Sequence, residues 1–226
     1  YEIMPSLVGS EMCIRDRSDM TRFWMRQDLV VPHLVDYLTE RCGVREEDIT
    51  IVIANGTHIG GDEQELRTLV TDAVYDRVKV KNHDCEAKDL VYLGTTPHGT
   101  PVSIDRTAAE ADLVVCLGAV THHVMAGFGG GRKSILPGIS GRETIFHNHA
   151  FSLDAAQLRS NPAIGNGVLK GNPLHEDMCE AASLVNNLFM VNLVMNADMK
   201  LSYIFSGHYL TSWERACTAV DDIYRV

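Results

Sequence analysis

No stretch of this 226-residue chain approaches the ~18 consecutive apolar residues of a membrane-spanning helix. No cluster of Lys and Arg offers phosphates a surface. With 20 Lys+Arg against 30 Asp+Glu the formal net charge is -10, which argues against electrostatic binding of nucleic acid. The six cysteines, at 13, 42, 85, 116, 179 and 217, contain no CxxC pair, so a zinc ribbon or finger is not indicated. No HExxH motif and no carboxylate cluster accompanies the histidines, which argues against a zinc hydrolase. What remains is an ordinary globular composition, 45% hydrophobic and 22% charged, with enough length for one large core or two small ones. Unpaired cysteines, with Cys116 inside an apolar run, read as a reduced, cytoplasmic protein.

The two ends stand apart. Residues 1–17, YEIMPSLVGSEMCIRDR, carry no helical or strand period and no apolar core of a signal peptide. The run SLVGSEMCIRDR resembles translated sequencing-adapter sequence. The expectation is that 1–17 stay outside the fold and that the native chain starts near Ser18. Residues 221–226 stop inside an apparent helix with no cap or glycine. Both ends point to a fragment of a longer protein.

Between them, apolar runs alternate with helical patterns. Asp28 is an expected N-cap for a helix carrying Pro32 in its first turn and ending near Gly43. Asp62 with Glu65 forms a capping pair for a helix to about Tyr75, and Thr211 with Glu214 for the last helix. Short strands are expected over 49–54, 78–81, 91–93, 102–104, 113–117, 189–195 and 201–205. Continuously apolar strands between helices predict an α/β fold with a mainly parallel sheet flanked by helices. In such sheets sites form at the carboxyl ends of strands. That directs attention to the loops at 55–58 and 118–134.

The second loop opens the richest segment, residues 118–149. It gathers Gly127, Gly129, Gly130, Gly131 and Gly138 around Arg132 and Lys133. Glycines let backbone N–H groups approach an anion, and adjacent cations complete such a site. The run nearly matches a phosphate loop, GxxxxGK[ST], except that Arg132 stands in place of the last glycine. His122 and His123 enter the segment, and His147 and His149 leave it. Imidazole is a common ligand of nickel, zinc and copper and an acid/base near neutral pH. If 147–149 is helical, His147 and His149 point to different faces, so at most one serves as a ligand. His33, His83, His98, His175 and His208 read as structural or exposed. Asp19 and Arg22, beside Ser18 and Thr21, suit a carboxylate, phosphate or ribose.

Together, SDxTR at 18–22, ANGTH at 54–58, NHD at 82–84, LGTTPHGTPV at 93–102 and HxxAGFGGGRKSILPGxxGxxTIxxNH at 123–149 resemble the nickel-dependent lactate racemase family. The resemblance spans 18–226 and implies the N-terminal domain of a two-domain enzyme, here truncated. It implies a nickel pincer nucleotide, a pyridinium mononucleotide holding nickel through two sulfur-bearing arms and a ring carbon. By motif position it implies Lys133 as the thioamide tether and His149 as the nickel ligand. His58 and His123 become acid/bases on opposite faces of a 2-hydroxy acid, with lactate the default. Gly129, Gly130 and Gly131 belong to cofactor binding, and Asp19 and Arg22 lie near cofactor and substrate, Arg22 orienting the carboxylate. The implied chemistry is reversible hydride transfer from Cα through a bound 2-oxo acid. Cofactor-making enzymes are the implied partners. Lacking a second domain, the fragment alone is expected to be inactive. His122 departs from the family, where proline is common. Two alternatives stand beside this reading: a phosphate-loop nucleotide-binding enzyme, and a non-catalytic nickel- or nucleotide-binding homolog.

Overall fold

The structure, a computed structural model, describes residues 12–16 as backbone and residues 25–224 in full. Its strands are β1 (Met12–Asp16), β2 (Ile49–Ile53), β3 (Lys79–Asn82), β4 (Val91–Thr95), β5 (Pro101–Ile104), β6 (Leu113–Ala119), β7 (His122–His123) and β8 (Ala126–Phe128). They continue with β9 (Leu153–Asp154), β10 (Arg159–Ser160), β11 (Gly165–Asn166), β12 (Leu188–Met195) and β13 (Leu201–His208). The helices are α1 (Val31–Asp36), α2 (Glu63–Val70), α3 (Asp72–Tyr75), α4 (Arg106–Ala109), α5 (Arg142–Ala150), α6 (Pro173–Ser183) and α7 (Tyr209–Tyr224).

The main sheet runs β13-β12-β6-β1-β2-β3, and every neighbouring pair is parallel except β12 with β13. This is the expected α/β architecture. Strands β2 and β6 are largely apolar on both sides because both sides are covered. Ile49, Ile51 and Ile53 face α1 and α2 with Val115 and Leu117. Val52, Val114 and Cys116 face the opposite layer, which contains Ile145 of α5 and Met178 of α6. Val120, Phe128 and Val194 pack under Trp213 and Val220 of α7. Among the described residues no helix is long and apolar enough to cross a membrane.

Several local expectations are corrected. Met12–Asp16, in the segment set apart from the fold, forms the strand between β2 and β6, in register with Ile49–Ile53 and Leu113–Leu117. Two rows of unpaired backbone groups flank that slot, and backbone pairing does not require a side-chain pattern. Asp28 is not a cap: its carboxylate accepts from Arg26 Nε and Nη2, each at 3.0 Å, and α1 starts after Val30. The Asp62–Glu65 capping box is present, but the helix breaks at Thr71, whose φ is 77°. Thr211 lies inside α7 rather than at its start. Cys85 is buried.

One buried carboxylate ties edge to centre. Asp105 caps α4 through the Thr107 N–H and accepts two bonds from Lys81 Nζ at 2.9 and 3.0 Å, and its Oδ2 lies 3.5 Å from His83 Nδ1. Burial opposes its charge, yet His83 and Lys81 hold it well below the usual carboxylate range. A depressed folded pKa stabilises the fold above the unfolded value of about 3.9 and stops doing so as pH falls toward the folded one. Asp105→Asn is therefore expected to cost about 2–4 kcal/mol at pH 7. Urea unfolding should show the gap to the parent closing as the pH is lowered below about 4.

Candidate active site

Two loops and one helix meet beyond the carboxyl ends of β2 and β6. After β2 the chain turns at Gly56, where φ is 62°, and Gly56 N–H donates to Gly138 O at 2.9 Å, joining the two loops. The next turn, closed by His58 N–H to Asn55 O at 3.1 Å, presents the exposed His58. After β6 the chain forms the β7–β8 hairpin, which carries His123, and then a 3-10 turn, Gly131–Ser134, which carries Lys133. Helix α5 is fixed at its start by Gly141 N–H to Ser103 O, 2.8 Å, and by Thr144 Oγ1 to Pro101 O, 2.7 Å. Its last turn brings in His149.

His58, His123, Lys133 and His149 line one cavity of about 210 Å³, with Asn55, Met125 and Ile145 among its other walls. The residues singled out for acid/base work, tethering and metal ligation are thus brought together from three separate segments. His147 is exposed and does not line the cavity, because two helical residues differ by about 200° around the axis. Asp19 and Arg22 lie outside the described residues.

The ring nitrogens have assigned partners. His149 Nδ1 faces Ile145 O at 2.9 Å, so the proton sits on Nδ1 and Nε2 keeps its lone pair. Burial, with Lys133 nearby, pushes the His149 pKa below the ordinary value, so the ring is neutral at pH 7. His123 Nδ1 accepts the Met125 and Ala126 N–H groups at 3.2 and 3.1 Å. With Nδ1 taken by those amides, the neutral ring carries its proton on Nε2, which faces the lone pair of the Lys133 amine nitrogen at 3.1 Å. Lys133 is only 3% exposed.

The glycine-rich run is also a close-packed segment. Gly129, Gly130 and Gly131 are buried and do not line the cavity. A Cβ on Gly130 would lie 2.8 Å from Ala119 O, and one on Gly131 would lie 2.4 Å from the Trp213 ring, so these positions are glycine for close packing. Arg132 turns inward, 1% exposed, onto the carbonyls of Ala126 and Phe128. A phosphate loop needs an α-helix start and an available cation. Here the loop leads into one 3-10 turn and its arginine is spent on carbonyls. The phosphate-loop alternative is thus not supported.

Sequence reasoning missed the support behind α5. Asp177 of α6, fully buried, accepts from Thr96 Oγ1 at 2.5 Å, Thr100 Oγ1 at 3.0 Å and Asn148 Nδ2 at 2.8 Å. No short-range spacing links residues so distant in the chain. It also missed Asn55 as a wall residue; its buried Oδ1 has no partner among the described residues. Its position in ANGTH, three residues before His58, was the available signal.

A family profile for the lactate racemase N-terminal domain matches residues 9–160. A lactate racemase of Thermoanaerobacterium thermosaccharolyticum is 33% identical over 199 residues, 88% of this chain and 45% of that one. A lactate racemase of Lactiplantibacillus plantarum is 31% identical over 179 residues, 79% of this chain and 41% of that one. The chain thus spans less than half the length of these two relatives. The solved apoprotein of the T. thermosaccharolyticum lactate racemase superposes with a TM-score of 0.86 at 32% identity, covering 96% of this chain and 50% of that one. A Thermotoga maritima crystal structure at 24% identity shares the fold, with a TM-score of 0.78 over 96% of this chain and 56% of that one.

Proposed function

Since the chain belongs to the lactate racemase N-terminal domain family, we propose that it is the cofactor-bearing part of a racemase or epimerase of a 2-hydroxy acid, lactate by default. The observation that carries this reading is the meeting of His58, His123, Lys133 and His149 around one cavity.

The residues present fit a nickel pincer nucleotide. His149 offers a neutral imidazole with its lone pair on Nε2, oriented by Nδ1–H to Ile145 O, the arrangement of a metal-ligating histidine. Lys133 offers a primary amine in the cavity wall, the group on which a thioamide forms. When bound, the nickel pincer nucleotide supplies a hydride acceptor.

The remaining work belongs to the chain. His58 and His123, on loops after different strands, take and return the hydroxyl proton from opposite sides of the acid, general-base help worth roughly 10²–10⁴ in rate. Two are needed because the enantiomers present their hydroxyls to opposite sides. Proton transfer at His123 Nε2 requires the ring proton on Nδ1, so the amides of Met125 and Ala126 must let that nitrogen go. Arg22 is assigned the substrate carboxylate and Asp19 the cofactor, both by motif position.

The metal assignment is tested by nickel analysis. After co-expression with cofactor-making enzymes, His149→Ala should lose nickel, whereas His147→Ala should keep most of it. The opposite pattern would overturn the assignment.

A further inference from the structure

Arg132 is the largest buried cation of the described chain and has no role in the proton and hydride chemistry. Its guanidinium meets no carboxylate among the described residues. Nη2 donates to Ala126 O at 2.6 Å, Nη1 to Phe128 O at 2.9 Å, and Nε to His175 Nδ1 at 3.2 Å. Its Cζ lies 3.9 Å from the centre of the Trp213 ring, and Trp213 Nε1 donates to Gly129 O at 2.8 Å. Burial lowers the Arg132 pKa to about 10. The same burial, with Arg132 itself, lowers His175 to about 3, so His175 is a neutral acceptor. A desolvated cation is costly to keep. A packing role alone would be met by an uncharged side chain.

The contacts close a ring. Arg132 holds the carbonyl of Ala126. The N–H of Ala126, with that of Met125, donates to His123 Nδ1. His123 Nε2 meets Lys133 Nζ, and Lys133 is joined to Arg132 through the chain. We infer that Arg132 is a positioning residue that fixes which nitrogen of His123 carries the proton, by pinning the turn whose amides clamp Nδ1. A planar fork reaching two carbonyls and an imidazole at once can do this, and a lysine ammonium on a flexible stem cannot hold all three directions. The catalytic meaning of this control rests on the racemase reading, but the control itself is a property of the chain alone.

The test is a long-range ¹H–¹⁵N spectrum of the histidine rings in the full chain, with His123 assigned by His123→Gln. The parent should show His123 as a single tautomer with its proton on Nε2. Arg132→Gln and Arg132→Lys, read well below their melting temperatures, should lose that signature and show averaged ring nitrogens. Trp213→Phe removes the bond to Gly129 O but leaves the Arg132–Ala126 bond, so it should lower the melting temperature and keep the single tautomer. If a folded Arg132 variant keeps the parent signature, or if Trp213→Phe loses it equally, the inference is overturned. If neither Arg132 variant folds, Arg132 is a folding residue and the inference is likewise overturned. The spectrum needs no cofactor or turnover, so a failure of the racemase reading would leave its outcome unchanged.

Discussion

His58→Ala and His123→Ala are each expected to cut racemisation by about 10²–10⁴-fold, the usual worth of one positioned acid/base. His58 sits on the loop after β2 and His123 on the hairpin after β6, and both line the same cavity. A full inversion uses one ring to take the hydroxyl proton and the other to return it, so neither can be spared. His58 is exposed and His123 half-buried, so truncation should leave the fold intact. Nickel and cofactor content should stay at the parent level, because neither ring is assigned to hold the cofactor. The rates are read by chiral separation of D- and L-lactate, in the chain extended to the length of its relatives and loaded with cofactor. Parent-rate racemisation by either variant would contradict the two-histidine reading.

Lys133→Met is expected to abolish covalent attachment of the nucleotide entirely. Lys133 is the lysine within the glycine-rich run, and its Nζ stands in the cavity wall 3.1 Å from His123 Nε2. Its side chain is almost fully buried, so alanine would leave a hole of several methylenes, whereas methionine keeps most of the volume. The variant should therefore fold like the parent. Intact mass after co-expression with cofactor-making enzymes should show an adduct on the parent and none on Lys133→Met. Nickel should fall with it, since His149 alone gives a metal one protein ligand. An adduct retained by the variant would place the tether elsewhere.

The architecture was legible where local chemistry and burial agree. Ile49–Ile53 and Leu113–Ala119 read as buried strands because both faces of the sheet are covered, and the Asp62–Glu65 capping box was visible as a spacing. The four residues around the cavity were legible only through the motifs that carry them. No periodicity brings residues 58, 123, 133 and 149 together; sheet topology does, by ending β2 and β6 side by side around β1. The packing role of the glycines was not legible for a physical reason. Glycine at a close approach to Ala119 O or Trp213 looks the same in sequence as glycine at a phosphate. Arg132 was misread likewise, since nothing in GGGRKS says whether the guanidinium faces outward to an anion or inward to carbonyls. Thr211 failed as a cap because α7 continues directly from β13, two residues earlier. The Asp177 network was invisible because its partners lie far apart in the chain and meet only through packing.

The central claim is that the acid is inverted by moving hydride, with the histidines handling only the hydroxyl proton. The most direct measurement is isotope retention. D-lactate deuterated at Cα, incubated in ordinary water with the cofactor-loaded chain extended to the length of its relatives, should give L-lactate that keeps deuterium at Cα. Nearly complete retention is the predicted result, because a hydride held within the site returns to the same carbon. L-lactate carrying solvent hydrogen at Cα would mean that His58 and His123 act by deprotonating that carbon, and would contradict the account.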